Sequence, residues 1–333
     1  VDVDFDEADE ALKMDQLDSL LAPMATRIKT DLELDFGEFC LKNTALLSGA
    51  VGTGVTTWDH VAGAGAIMQA SGVPMDQDWC YFANPFTQRS LASNQRSLGG
   101  ETGSMSANQR AVITDNFAGM KVMTATTLPS YTTGVGADRA GTLSGTPTAT
   151  YLAAKDTMTM SIAVTAFQAN LVVAAGETIT VTGRNRLNLS TRKPIVDETG
   201  AQILFSGTVT AAVTLNGSGA GTLVITGPGV YEAAGAFNTV DSALTSGDVV
   251  TLGGAASTLI QPNLFWHKQA FGIGSVPIKK LYSTDTIATT EDGLQFRVSK
   301  YANGDANKQI VRFDFRPAYA VLNPFFAGKS FGG

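Results

Sequence analysis

The sequence is most constrained by one apolar repeat: Leu17, Leu21, Met24, Ile28, Leu32, Phe36 and Phe39 recur every three or four positions. That spacing places them on one face of an α-helix. The pattern predicts a helix from about Leu20 to about Leu47, with Pro23 in its first turn, where a missing N–H loses no hydrogen bond. At about 1.5 Å per residue such a helix is roughly 40 Å long, well beyond the usual three turns. A helix of that length acts as a strut, and Leu21, Met24, Ile28, Leu32 and Phe36 are its expected packing residues.

The residues that follow read as a mixed α and β region. "GAVGTG" (49–54) is expected to stop the long helix. It lacks the Lys-Ser/Thr of a phosphate-binding loop and follows a helix, not a strand. Small apolar residues from Trp58 to Ser71 predict a second helix, ended by Gly72. "WCYFANP" (79–85) reads as a buried strand stopped by Asn84-Pro85. Residues 86–114 are polar and are expected to form helical pieces joined by loops. In "DNFAGMKVMTATTLPSYTTG" (115–134), Met120, Val122 and Thr124 alternate with Lys121 and Met123 as in a half-buried strand. Leu128-Pro129 halts it, and the Thr/Gly run after Tyr131 is expected to be a hinge.

From about Gly141 the composition changes. Only 12 of the 115 residues from Thr142 to Ala256 are charged. Short alternating runs, "TMTMSIAVT", "TITVT", "ILFSGTVT", "TLVIT" and "VVTL", are separated by turn clusters such as "NGSGAG" and "GPG". Several short strands between turn signals predict a small antiparallel sandwich or barrel. After Ala256 the mixed α and β pattern resumes in "NLFWHKQAFGIG", and "GLQFRVSKY" and "QIVRFDFRPAYAVL" bracket an Asn303-Gly304 turn suited to a hairpin. The expected organisation is residues 1–140 and 257–333 as two parts of one host, with 141–256 inserted as a β domain.

Reactive chemistry is hard to find. The chain has two histidines, His60 and His267, and neither has a companion at metal-ligand spacing. Asp197-Glu198 precede Thr199-Gly200 and read as turn residues. No nucleophile has a base nearby in a recognisable motif. His267, beside Trp266 in a predicted buried strand, reads as a structural histidine. No enzyme activity, cofactor or metal is therefore expected. Cys40 and Cys80 read as reduced thiols. No apolar run approaches the roughly 20 residues that span a bilayer, so no membrane partner is expected.

Charge points toward assembly and away from gripping nucleic acid. The net charge is −7, whereas a dedicated nucleic-acid binder is basic. Residues 1–18 hold eight acidic residues and one lysine, Lys13, and read as a solvated acidic lead-in. Arg297, Lys300, Lys308, Arg312, Arg316 and Lys329 make the C-terminal part locally basic. Those are expected to contact other subunits or acidic neighbours, with a nucleic-acid patch as the alternative.

The order of these segments resembles a known family. "LLAPMATRIKTDLELDFGEFCLKN", then "GVPMDQDWCYFANP", "FAGMKVMTATTLPSYTTG", and after the β segment "NLFWHKQAFGIGSVPI" and "GLQFRVSKY…RFDFRPAYAVLNP", together resemble the major capsid proteins of tailed bacteriophages. They resemble most the short-tailed-phage coat proteins that carry an inserted β domain. Gly119, Val122, Leu128 and Pro129 fill the places of that family's Gly-hydrophobic-x-Val…Leu-Pro strand. The resemblance implies an α+β chain with the tailed-phage and herpesvirus capsid fold: a spine helix, peripheral and axial domains, and the inserted β domain. It implies a coat protein that self-assembles into pentamers and hexamers, forming an icosahedral virion shell around packaged double-stranded DNA held without sequence-specific binding. Scaffolding and portal proteins are its implied partners, and host cytoplasm its implied site of assembly. One departure is clear: little sequence precedes the spine helix, where the family carries an N-terminal arm and an extended loop. An encapsulin-type shell shares the implied fold, and a β-rich adhesin or tail-fibre module would suit the 157–252 strand pattern alone.

Overall fold

The computed structural model describes residues 2–6, 17–76, 79–98, 113, 116–289, 293–305 and 308–333. Helices and sheets are mixed along the chain, which makes the protein α+β. Contacts divide it into two compact units: Val1–Phe36 with Gly272–Ala320, and Gly37–Phe271 with Val321–Gly333.

The long helix runs Leu17–Lys42, 26 residues, or about 39 Å at about 1.5 Å per residue. It stops short of the expected Leu47, so "GAVGTG" does not end it. Asn43 follows the last turn and its Nδ2 donates to the Phe39 carbonyl (2.8 Å), taking one of the carbonyls a helix end leaves open. Leu46–Ser48 then forms a strand. The glycine stretch is a turn beyond that strand, with Gly49 and Gly52 both at positive φ. The Phe331 backbone fills the place a Gly49 Cβ would take.

In the larger unit a six-stranded mixed sheet has the order Leu46–Ser48, Ala327–Ser330, Asn263–His267, Trp79–Ala83, Met120–Thr124, Asn116–Phe117. Strands from both ends of the sequence interleave, because Asn263–His267 lies between Trp79–Ala83 and Ala327–Ser330. The second helix spans Trp58–Ser71 with Gly72 at its C-cap in the left-handed region, both as expected. It lies against the Leu46–Ser48 and Ala327–Ser330 strands. Val61, Ala64 and Met68 recur at helical spacing and pack with Leu46, Tyr81, Met120 and Phe265 into one core. Pro85–Leu98 forms a third helix. The rest of the expected 86–114 pieces, apart from Ile113, lie outside the described residues.

The low-charge segment forms a closed barrel of six strands: Thr178–Asn185, Leu204–Val209, Gly221–Thr226, Thr159–Thr165, Ala140–Leu143 and Val249–Leu252, the last pairing back to the first. Five carry the alternating runs read from sequence; Ala140–Leu143 is the sixth. Alternation explains the closure. In Thr159–Thr165, Met160, Ile162 and Val164 are buried while Ser161 and Ala163 face out. The same inward set from the other strands, including Ile179, Val181, Phe205, Leu223, Ile225, Val250 and Leu252, fills the interior.

In the smaller unit an antiparallel sheet has the order Asp2–Asp6, Lys308–Phe315, Gln295–Asn303, Thr286–Thr289. The Asn303-Gly304 hairpin is present, with Asn303 opposite Lys308. Two expectations are corrected here. The acidic lead-in begins as a strand, with Asp2 opposite Arg312 and Asp6 opposite Lys308; residues 7–16 lie outside the described residues. Arg297 is not part of a basic surface: it is buried, and its Nε donates to Asp314 Oδ2 across the strand pair (3.0 Å).

Candidate functional site

The expected strut residues of the long helix lie along one shielded stripe. Met24 is buried, and Ile28, Leu32 and Phe36 are half-buried, while Arg27, Asp31 and Asp35 are exposed. The side chain of Leu21 lies outside the described residues. Phe36 packs against Tyr319 (5.4 Å between ring centroids), whose hydroxyl donates to Asp35 (3.2 Å).

Gly119 stands at an open turn. Ala118 and Gly119 both have positive φ and link Asn116–Phe117 to Met120–Thr124 with Phe117 opposite Met120, the geometry of a two-residue type I′ hairpin. Leu128 and Pro129 are brought together with the end of the long helix. A Cβ added to Gly37 would lie 3.2 Å from Pro129 Cδ, so this glycine allows the close approach. The Leu128 carbonyl accepts from Gln261 Nε2 (2.8 Å), and Gln261 Oε1 accepts from Asn84 Nδ2 (2.9 Å). Thus the residues stopping the strands at 84 and 128 are bound to the segment returning from the barrel.

The Thr/Gly stretch after Tyr131 is held firmly, contrary to the expected hinge. Tyr131–Thr132 pairs with Leu259–Ile260, so the chain enters and leaves the barrel through a two-stranded stem. Thr133 Oγ1 donates to the Ala255 carbonyl (2.6 Å), and the Gly134 N–H donates to Glu177 Oε1 (2.6 Å). Glu177 is fully buried, and its other oxygen pairs with the buried Arg139 guanidinium. Breaking that pair would leave a charge in the interior, which holds the exit in place.

A polar seam joins the barrel to the six-stranded sheet. In Leu204–Val209, Phe205 and Val209 point into the barrel core, so Ser206 and Thr208 point out, yet both are buried. Ser206 Oγ donates to the Ala45 carbonyl (3.1 Å), and Thr208 Oγ1 lies 3.2 Å from Thr44 Oγ1. Arg186 Nη2 donates to the carbonyls of Ala45 and Ser206 (2.8 Å each). Its guanidinium carbon lies 6.0 Å from the Phe205 ring centroid and 5.6 Å from that of Phe325, and burial pulls its pKa down to about 10. Lys329 Nζ donates to the Gly176 carbonyl (2.5 Å) and to Thr208 Oγ1 (3.2 Å). Lys329, expected among surface cations, is therefore a buried seam residue. Sequence reasoning missed the seam; its signal is an isolated charge in an apolar run, as in "AAGETIT" and "FFAGKSF".

This arrangement holds parts together and offers little for reaction. Among the described residues no group of three or more His, Cys, Asp or Glu could hold a metal ion. His60 caps its helix, accepting at Nδ1 from the Thr56 N–H (3.1 Å). His267 is fully buried; Nδ1 accepts from the Gln269 N–H (3.2 Å), leaving Nε2–H to face Asp76 (2.7 Å). It is a structural histidine. Asp197 sits in a turn, accepting from the Thr199 and Ala201 amides. Burial pushes the Cys40 thiol up, so it stays protonated and unreactive. No described helix is long and apolar enough to cross a membrane.

Comparison with known proteins adds the family. The sequence model of "P22 coat protein - gene protein 5" matches residues 1–333. A "Major capsid protein" of Acyrthosiphon pisum secondary endosymbiont phage 1 is 32% identical over 336 residues, covering 100% of this chain and 79% of that protein. Set beside a barrel tied into an interleaved sheet and a site with no reactive cluster among the described residues, these matches show that the chain belongs to the P22 coat protein family, the bacteriophage major capsid proteins.

Proposed function

We propose that this coat protein self-assembles into pentamers and hexamers that close into an icosahedral shell around packaged double-stranded DNA. Family membership along residues 1–333 carries the reading. A closed shell needs one set of surfaces to serve every copy, and many modest contacts add up through repetition. The smaller unit offers such surfaces. Ile273, Val276, Leu281 and Tyr282 are exposed within ten residues, more than scattered apolar side chains on a free surface.

In this reading the chain has the tailed-phage and herpesvirus capsid fold, the long helix is its spine, and 141–256 is a domain inserted between 1–140 and 257–333. The interleaved sheet and the two-stranded stem support that division. Leu21, Met24, Ile28, Leu32 and Phe36 keep the spine in place; Gly119, Leu128 and Pro129 shape the strand that leads into the insertion. Scaffolding and portal proteins are its partners during assembly in the host cytoplasm, and the DNA is enclosed without sequence-specific contact. The test is sedimentation of the purified full chain over a wide concentration range. Large closed particles are expected above a threshold concentration, and a monomer or trimer at every concentration would refute the reading.

A further inference from the structure

The seam holds more cations than its carboxylate can balance. Arg186 and Lys329 are buried there and Arg139 beside it at the barrel exit, and the buried carboxylate acting on Arg139 and Lys329 is Glu177. Glu177 is already engaged: Oε1 accepts from the Gly134 and Ala174 amides (2.6 and 2.9 Å), and Oε2 pairs with Arg139. Arg186 is a guanidinium, which keeps its proton in proteins. Lys329 is left as the group able to shed the surplus charge.

The surroundings of Lys329 fit an amine that has done so. Its Nζ donates to two acceptors, the Gly176 carbonyl and Thr208 Oγ1, which matches the two hydrogens of a neutral amine. An ammonium would bring a third hydrogen; the Tyr131 ring, 5.6 Å from Nζ, offers it a π face but no lone-pair acceptor. The chemical groups facing it are thus a carbonyl, two threonine hydroxyls linked in series through Thr44, the Tyr131 ring and the occupied Glu177. On its own strand Ser330 accepts from the Tyr81 hydroxyl instead (3.1 Å).

We propose that this seam is a proton-controlled latch between barrel and sheet: the Lys329 amine closes it when neutral and loosens it on taking up a proton. The two acceptors of Lys329 belong to the barrel side, Gly176 before Thr178–Asn185 and Thr208 within Leu204–Val209, while Lys329 lies in the Ala327–Ser330 strand of the sheet. Protonation therefore places an unbalanced charge at the point where the two are joined.

The sign follows from proton linkage. Burial lowers the Lys329 pKa from 10.5 to about 7, with Glu177 opposing. Between those values the unfolded chain holds a proton that the folded chain has released, so stability rises with pH across that window and is flat below it. The experiment is chemical denaturation of the unassembled full chain from pH 6 to 10, with hydrogen exchange at residues 204–209 as the local readout. The unchanged chain should gain up to about tenfold per pH unit in its folding constant above about pH 7. Lys329→Met should lose that rise and show protection that no longer changes with pH; Lys329→Arg should show weak protection at all pH values. Because either variant can fail to fold, NMR of ¹³Cε-lysine in the unchanged chain follows Lys329 directly. Titration near neutrality supports the latch. A midpoint near 10.5, or a pH rise that survives in Lys329→Met, overturns it.

Discussion

The barrel and the sheet of the smaller unit are both antiparallel, yet they end differently. The barrel's Val249–Leu252 strand pairs with Thr178–Asn185 on one side and Ala140–Leu143 on the other, so every barrel strand has two neighbours. The smaller unit's sheet is open, with Asp2–Asp6 and Thr286–Thr289 as its outer strands. Closure removes the edges to which another chain could add, whereas open strands keep backbone groups available to one. Charge follows the same division. The barrel segment is poor in charge and pairs some of its ions internally, as in the Arg184–Asp248 pair (2.6 Å) and the buried Arg139–Glu177 pair. The open sheet carries Lys300, Lys308 and Arg312 on its strands. In the proposed reading, one region is finished as a single chain and the other is continued by its neighbours.

That contrast can be broken from either side. The largest effect is expected from Phe205→Ala, which removes a fully buried ring from the barrel core. It should cost about 3–5 kcal/mol, read as a drop in the denaturation midpoint. Because the outer face of the same strand forms the seam, hydrogen exchange should rise at residues 44–45 as well as inside the barrel. Protection left intact at 44–45 would mean that barrel and sheet are independent.

Next in size is Ile28→Pro, inside Leu17–Lys42. Proline there removes a helical hydrogen bond and clashes with the preceding turn, at about 3 kcal/mol or more. Helical circular dichroism should fall and closed particles should vanish, while the barrel keeps its exchange protection. Normal particle yield would show that the long helix is no strut. The smallest effect on folding is expected from Leu281→Glu, an exposed position. Stability should move by less than about 0.5 kcal/mol, yet particle yield should fall because an apolar contact becomes charged. Unchanged yield would take this stretch out of the interface.

Much of the fold is readable from residue pattern. The helix at 58–71, the strand at 79–83 and five barrel strands follow from strong periodicity bounded by Gly, Pro or Asn. Ala140–Leu143 is not readable, since "AGTL" has weak strand preference and becomes a strand only because Val249–Leu252 and Thr159–Thr165 flank it. Leu46-Leu47 continue the helical repeat, and the helix stops at Lys42 because the sheet takes them as a strand. "DVDFD" alternates as a strand does, but its charge suggests a solvated tail until Lys308–Phe315 is found beside it. The seam is hidden for a related reason. Glu177 and Arg186 lie far from Lys329 in sequence, and burial of these groups depends on barrel closure. The Thr/Gly stretch shows the limit most plainly: composition suggests freedom, and partners such as Ala255 and Glu177 remove it.

The most direct test is electron cryomicroscopy of the assembled particles at a resolution that traces strands. The account predicts closed shells of fivefold and sixfold rings, with a complete six-stranded barrel formed within each copy and subunit contacts made by the open smaller unit around Leu281 and Tyr282. Particles joined by exchange of barrel strands between copies, or no closed particle at all, would contradict it.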